Sequence, residues 1–167
     1  MTLGSAVANY GLSAIATPTS TNVANDVRIG VAPASVGFPA ADIIYSFNVA
    51  PTAGADVATL TFSTGLVAQT TGTPVITDGD GKDFEGVTLP TMVKVQAVFA
   101  KKITGGASVG VLGSSLIGYS NLAITAGDFA TWSRSEGVAP AGGTLTIQPG
   151  GTDATDSVQI TVIGKSS

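Results

Sequence analysis

The clearest hydrophobic pattern in the chain lies at Met92–Ala100, where apolar and polar residues alternate. The apolar positions on one side are Val93, Val95, Ala97 and Phe99, with Lys94 and Gln96 on the other. A period of two residues is typical of a strand with one buried and one solvated face. The stretch Gly86–Ser108 is therefore predicted to contain a central strand of a β-domain.

The residues after this strand predict a hairpin. Lys101 and Lys102 form a charged exit from the strand, and Gly105-Gly106 supplies the residue types that a tight turn requires. The chain would then double back into Ala107–Leu112. These features predict a central hairpin.

Several further segments have the length and alternation of strands, with Gly- and Pro-rich turns between them. The other predicted strands are Val27–Ala32, Asp42–Ala50, Asp56–Ser63, Leu66–Thr70, Pro74–Thr77, Leu116–Tyr119, Asn121–Thr125, Thr144–Gln148 and Asp156–Ile163. Leu66–Thr70 and Pro74–Thr77 are the weaker ones and are predicted to be edge strands. Short strands at such spacing indicate a sandwich or a barrel, and we predict an all-β, antiparallel, two-sheet sandwich with little helix.

The same patterns predict loops and a core. Pro33–Pro39 is predicted to be a loop, and the segment from Ala126 to Gly137 a loop over the end of the sandwich or one helical turn capped by Asp128. Turns are predicted at Pro140–Gly143 and Pro149–Asp153. The predicted core residues are Val93, Val95, Phe99, Leu145, Ile147, Val158 and Ile160.

Residues 1–26 lack clear periodicity and contain one charged residue, Asp26. We predict an extended N-terminal arm at 1–26 and a sandwich domain at 27–167. Ordering such an arm costs roughly 1–2 kcal/mol per residue, so an ordered arm must be covered. Its large apolar residues are Leu3, Val7, Tyr10, Leu12 and Ile15. We expect them to pack on a neighbouring subunit rather than on the chain's own sandwich.

Composition removes several functional classes. The 167 residues include no Cys and no His, so thiolate nucleophiles, imidazole bases and the usual zinc ligands are absent. Seven basic residues against eleven acidic ones do not favour a nucleic-acid partner. The sequence contains no stretch of about 18 apolar residues, so no membrane span is predicted. The N-terminus lacks the basic segment of a secretory signal.

Charged residues make up 11% of the chain, against roughly 25% in an ordinary domain. Large areas of the surface must then be free of charge. Such a surface is expected of a subunit that is largely covered by its neighbours.

Acidic residues form the strongest candidate site. Asp78, Asp80, Asp83 and Glu85 are spaced closely enough to chelate calcium, although Lys82 interrupts the EF-hand pattern. The alternative is a solvated polar turn between strands, and we predict that Asp78–Glu85 binds no metal. For Asp153 and Asp156, too, a turn is favoured over a metal site.

No other pattern predicts catalysis. The chain contains no G-x-S-x-G elbow and no phosphate-binding loop, and its acids lack the aromatic groove of a glycosidase. Trp132 beside Arg134 fits an interface anchor or a residue at the rim of the core. We therefore predict no catalytic residues, no cofactor and no metal.

Landmarks of the C-terminal half are GVTLP, MVKVQAVF, GGASVGV, a loop with Phe129 and Trp132, PAGGTLTIQPGG and DSVQITVIGK. This order, over about Gly86–Lys165, resembles small jelly-roll-like virion proteins of bacteriophages. The resemblance implies a non-enzymatic capsid decoration (cement) or minor capsid subunit on the capsid surface. It also implies capsid protein partners and a symmetric homo-oligomer, often a trimer. The alternative is a secreted or cell-surface binding module, an adhesin or a carbohydrate-binding sandwich that uses calcium at Asp78–Glu85.

Overall fold

A computed structural model describes residues 5–10, 13–16, 27–30, 34–39, 41, 43–78, 91–103, 109–153 and 155–166. These residues form strands and turns, and none of them lies in a helix, as the sequence predicts. It follows that the described part of the chain has no helix long and apolar enough to cross a membrane.

In chain order, the strands are β1 (Ser5–Tyr10), β2 (Ser13–Ala16), β3 (Val27–Gly30), β4 (Ala34–Pro39), β5 (Ile43–Ala50), β6 (Val57–Thr61), β7 (Leu66–Thr71), β8 (Val75–Asp78), β9 (Lys94–Lys102), β10 (Gly110–Ser114), β11 (Tyr119–Ile124), β12 (Phe129–Val138), β13 (Thr144–Gln148) and β14 (Val158–Lys165). Ten of these strands form two antiparallel sheets of five. Sheet I has the order β11-β10-β13-β6-β7, and sheet II has the order β12-β9-β14-β5-β8.

The strand pairs are nested in sequence. β5 pairs with β14, β6 with β13, β9 with β12 and β10 with β11. The outermost pair in sequence is therefore β5 with β14, and the innermost is the β10–β11 hairpin. A double-stranded ribbon wound in this way is a jelly roll. β7 and β8 are additions to it, one at an edge of each sheet, as predicted for the two weaker strands. The predicted two-sheet, jelly-roll-like sandwich is confirmed.

The core lies between the sheets. In sheet I the alternation is regular in the three inner strands, and β6, β10 and β13 each bury every second residue. Five of the seven predicted core residues are fully buried. They are Val95, Leu145, Ile147, Val158 and Ile160.

The predicted central hairpin is wrong. β9 lies in sheet II and β10 in sheet I, so they do not pair with each other. β9 pairs instead with β12 and β14, which come much later in the chain. Local turn chemistry after Lys102 suggested a hairpin, but the winding of the jelly roll takes the chain across to the other sheet.

The predicted face of β9 is also wrong beyond Val95. Ile163 is opposite Ala97 and Gly164 is opposite Val95, so Gln96 is an extra residue, a β-bulge. The bulge turns Ala97 and Phe99 to the outer face of sheet II, where Phe99 is only partly buried. Val93, before the strand, is 50% exposed. A bulge shifts the period by one residue, and alternation alone does not show it.

Three segments differ from their predictions in type. Pro33–Pro39 was predicted as a loop, but Ala34–Pro39 forms β4. The segment around Phe129 and Trp132 forms the long strand β12 rather than a loop or a helical turn. Leu116–Tyr119, predicted as a strand, is mostly a turn in which Gly118 has φ of 72°. The turn at Pro140–Gly143 is confirmed, with a hydrogen bond from the Gly143 N–H to the Pro140 carbonyl.

The N-terminal strands pair within the chain. β1 pairs with β4 and β2 pairs with β3, each in a two-stranded antiparallel sheet. β4 also lies beside β12, with Cα atoms within 8 Å. The division into an arm at 1–26 and a sandwich at 27–167 stays a prediction, as does packing of the arm on a neighbouring subunit.

Candidate interaction surface

The acidic segment predicted as a metal-free turn falls mostly outside the described residues. Asp78 is the last residue of β8, and Asp80, Asp83 and Glu85 lie in a part of the chain that is not described. Within the described ranges, no three His, Cys, Asp or Glu side chains form a group that would hold a metal ion. The assignment of Asp78–Glu85 as metal-free therefore stays a prediction.

Asp153 and Asp156 serve different structural roles. The Asp153 carboxylate accepts hydrogen bonds from the backbone N–H and the hydroxyl of Thr155, at 2.9 and 3.0 Å. These bonds lower the pKa of Asp153, the backbone bond most strongly. Asp156 instead faces Lys102, with 3.7 Å between Oδ1 and Nζ. The two acids thus belong to a turn, as the sequence favours.

Lys102 is buried, and the predicted charged exit from β9 is wrong at this position. Its ammonium group donates to the carbonyl oxygens of Pro149 and Asp156, at 2.8 and 2.6 Å. Burial lowers the pKa of Lys102, and the Asp156 carboxylate opposes this shift. The group joins the end of β9 to both ends of the connection between β13 and β14. Past the bulge, Val98, Ala100 and Lys102 all point inward, which places this charge in the interior.

Trp132 and Arg134 differ in burial. Trp132 is partly buried and packs against the main core, whereas Arg134 is exposed. Arg134 lies in a four-residue bulge, because Ser133 is opposite Ala97 and Val138 is opposite Val95. Of the two interpretations from the sequence, the rim of the core fits Trp132.

A buried carboxylate fixes the start of sheet I. Asp56 precedes β6 and accepts hydrogen bonds from the backbone N–H groups of Thr52, Ala53 and Thr73, at 2.6, 2.8 and 3.2 Å. The hydroxyl of Thr52 adds a fourth bond. These bonds, that from the Thr52 N–H above all, lower the pKa of Asp56 although its burial acts in the opposite direction. The sequence offered no sign of this role beyond a turn.

The feature that distinguishes the surface is the absence of charge from sheet I. None of its five strands contains an Asp, Glu, Lys or Arg residue. Sheet II has the same number of strands, and they contain seven charged residues. The charge-poor surface expected from composition is therefore concentrated on one side of the sandwich.

The outer face of sheet I is rich in threonine. Four threonines alternate with the buried residues of β6 and β13, and a fifth lies on β7 beside them: Thr59, Thr61, Thr144, Thr146 and Thr70. Thr59 and Thr70 share a hydrogen bond of 2.6 Å, and Thr146 donates to the Gly113 carbonyl at 2.9 Å. A Cβ at Gly113 would lie 2.6 Å from the Thr146 hydroxyl, so a larger residue there would displace that hydroxyl. Hydroxyls that bond within the sheet lose less on leaving water than charged groups do.

The outer face of sheet II is covered by the chain itself in part. Ala97 and Ile163 are buried on this face together with Ala41, and Phe99 packs against them. Ala41 lies between β4 and β5, so the segment that leads into β5 reaches this side of the sandwich. The described residues form no equivalent cluster on the outer face of sheet I.

Two shallow hollows flank β11. One, of about 400 Å³, lies between β11 and β12 and is lined by Leu122, Ile124, Phe129 and Ala130 among others. The other, of about 490 Å³, lies at the β10–β11 hairpin, and its lining includes Ser115, Ser120, Asn121 and Thr144. The described lining of the second hollow has hydroxyl groups but no ionisable Asp, Glu or Lys, and in the first the Asp128 carboxylate is hydrogen-bonded to Thr125 of its own turn.

Tyr119 borders both hollows. Its hydroxyl and that of the neighbouring Ser114 are buried and have no hydrogen-bond partner among the described residues. Burial also raises the pKa of Tyr119. Neutral polar groups therefore dominate this corner of the sandwich.

No protein-family model matches the chain, and neither the curated proteins nor the solved structures contain a significant match to it.

Proposed function

We propose that the chain is a non-enzymatic virion structural protein, a capsid decoration (cement) or minor capsid subunit that stabilises a phage shell through contacts between subunits. The observation that carries the proposal is the uncharged sheet I, with a threonine-rich outer face. Its partners are capsid protein subunits and further copies of itself, as a homotrimer or another symmetric homo-oligomer. Its place is the capsid surface.

Adhesion by sheet I follows from its chemistry. Five strands about 4.8 Å apart and five residues long give a face of about 24 by 17 Å. That is roughly half of the 800 Å² that each partner contributes to a standard interface. A single contact of this size is weak, but many copies on a symmetric shell bind together and reinforce one another. Burying neutral threonines also avoids the cost of removing charges from water.

Co-sedimentation with empty shells of the phage that encodes the chain tests the proposal. We expect the purified chain to sediment with the shells, to saturate at a fixed copy number and to raise their resistance to heat. A chain that stays in the supernatant at all concentrations would contradict the proposal.

A pair of matched substitutions tests the surface. Val111→Lys places a charge on the outer face of β10, and Gln159→Lys places the same charge on the outer face of β14. Both positions are partly buried in the free chain. We expect Val111→Lys to weaken binding to shells about tenfold, the effect of about 1.4 kcal/mol, and Gln159→Lys to leave it unchanged. Equal loss in both variants would remove sheet I from the proposal.

A second candidate function is a carbohydrate-binding module of a secreted or cell-surface protein. The observation that favours it is the hydroxyl-lined hollow of about 490 Å³ beside Tyr119, a volume within the range of small-molecule sites. Binding to a glycan array, lost on Asn121→Ala and unaffected by Thr131→Ala on β12, would support it. A calcium-dependent melting temperature would support the variant that uses Asp78–Glu85.

A further inference from the structure

The four edge strands of the sandwich differ in how they are protected. Natural sheets guard their edges with charges, bulges, short strands or covering segments. In sheet II, β12 carries Arg134 and Glu136 in a four-residue bulge and lies beside β4, and β8 is four residues long and ends at Asp78. In sheet I, β7 and β11 are each six residues long, with no charge and no proline, and their protection is limited to one extra residue in each: Thr70 in β7, and one residue between Tyr119 and Leu122 in β11.

The two edges of sheet I are themselves unequal. Gln69 of β7 donates from Nε2 to the Pro74 carbonyl at 3.1 Å, which ties this edge to the segment that leads into β8. On the other side, β11 and β12 are separated by the open hollow of about 400 Å³. Within the part of the chain that is described, β11 has a strand neighbour on its β10 side only. β11 is therefore the more open edge.

Exposed apolar side chains accompany this edge. Leu122 of β11 is 36% exposed, and Phe129 at the start of β12 is 69% exposed. Both line the hollow between the two strands. A single strand added to the edge of sheet I would cover this lining.

We infer that two copies of the chain pair antiparallel through β11 across a twofold axis and join their two sheets I into one sheet of ten strands. This inference deepens the proposed function, because it names a partner for the uncharged sheet, but it is tested without capsids.

Charge is the reason for choosing a second copy as the occupant. The chain has a net charge of −4, so copies that approach one another through most faces meet like charges. A twofold axis places each strand opposite itself, and the residues of β11 are all neutral. Among the described residues that line the hollow between β11 and β12, Asp128 is the charged one. Its carboxylate accepts hydrogen bonds from the backbone N–H and the hydroxyl of Thr125 within its own turn.

Sedimentation equilibrium of the purified chain tests the pairing. We expect a reversible monomer–dimer equilibrium between about 5 and about 500 µM, because the contact is small and its apparent stability depends on concentration. Hydrogen exchange over the same range should show slower exchange of β11 amides at high concentration and no change in β7. A monomer at all concentrations, a trimer, or protection of β7 in place of β11 would overturn the inference.

The chain offers a matched pair of substitutions. Leu122→Glu adds a carboxylate to β11, and Leu66→Glu adds the same group to β7, where Leu66 is 38% exposed. We expect Leu122→Glu to weaken dimerisation at least about tenfold, since it places like charges opposite each other, and Leu66→Glu to leave it unchanged. Equal loss in both, or loss in Leu66→Glu alone, would contradict pairing through β11.

Circular dichroism checks that both variants fold. If Leu122→Glu fails to fold, Phe129→Gln removes the exposed ring at the rim of the same hollow and should also weaken the dimer. A wild-type monomer that still binds shells would leave the proposed function intact and reject only this inference. A dimer that does not bind shells would contradict the proposed function and leave this inference intact.

Discussion

Sheets I and II have the same number of strands and share one core, yet their outer sides are unlike. Sheet II carries every charged residue of the sandwich strands, has bulges in β9 and β12, and buries Ala97 and Ile163 on its outer face together with Ala41. Sheet I has no charge in its strands and a threonine-rich outer face, it buries every second residue in β6, β10 and β13, and its irregularities lie at the edge strands β7 and β11. The difference teaches that the chain covers part of one sheet with its own residues, whereas the described residues form no such cluster on the outer face of the other.

The two sheets differ in whether apolar side chains are buried on the outer face. Bulges and a covering segment let sheet II bury apolar residues on both sides, as in β9, where Val95 and Val98 face the core and Ala97 faces outward. Sheet I has only one buried side. Its outer side is nevertheless built without the charges that keep a surface in water, which is expected of a surface that another subunit covers.

The two faces of sheet II can be compared by removing one phenylalanine from each. Phe47 is fully buried between the sheets, so Phe47→Ala should lower the free energy of unfolding by about 3–5 kcal/mol. Phe99 is partly buried on the outer face, so Phe99→Ala should cost about 1–2 kcal/mol. Urea denaturation of both variants measures the difference. Equal losses would mean that the outer cluster is a second full core.

The two sheets also differ in that sheet II buries a charged residue, Lys102 of β9, whereas the strands of sheet I contain none. Lys102→Met removes the ammonium group that bonds to two carbonyl oxygens and lies 3.7 Å from the Asp156 carboxylate. Removing one partner of a buried pair costs about 3 kcal/mol or more, so we expect a loss of that size by urea denaturation. The double variant Lys102→Met with Asp156→Asn should recover part of it. No recovery would mean that the backbone bonds, rather than the ion pair, carry the effect.

Acid should act on sheet I through Asp56, the carboxylate that anchors its first strand. The pKa of Asp56 is lower in the folded chain than its ordinary value of 3.8, so its contribution to stability is present above that value. The contribution is lost as the pH falls from about 4 through the lowered pKa. Asp56→Asn should therefore be less stable at neutral pH and show a smaller further loss between pH 5 and pH 2. Chemical denaturation across that range measures it, and identical slopes in both proteins would exclude Asp56 as the cause.

Salt is expected to have the smallest effect, and its effect on dimerisation distinguishes association through sheet I from association through sheet II. Contacts between neutral strands do not depend on ion pairs, so raising the salt concentration to about 1 M should leave dimerisation unchanged or slightly stronger. Pairing through the charged strands of sheet II would weaken under the same conditions. Sedimentation at low and high salt distinguishes them.

Prediction from the sequence succeeded where structure is local. Alternation at Thr144–Gln148 and at Val158, Ile160 and Val162 located two strands and their buried faces, since a period of two fixes which side chains share a face. The turn at Pro140–Gly143 followed from its proline and glycines; Gly142 adopts positive φ, and Ala141 does so as well although alanine rarely does. The absence of His and Cys and the scarcity of charge were likewise visible in composition alone.

Only the tertiary structure decided which strands are neighbours and where the charges lie. The hairpin predicted after β9 failed because pairing with β12 and β14 is non-local, and the glycines near position 105 allow a crossover as readily as a hairpin. The bulge at Gln96 sent Phe99 outward and Lys102 inward, since one extra residue reverses every later side chain. The uncharged sheet I arises in the same way. Its strands are scattered from Val57 to Gln148, and the winding of the ribbon places them side by side.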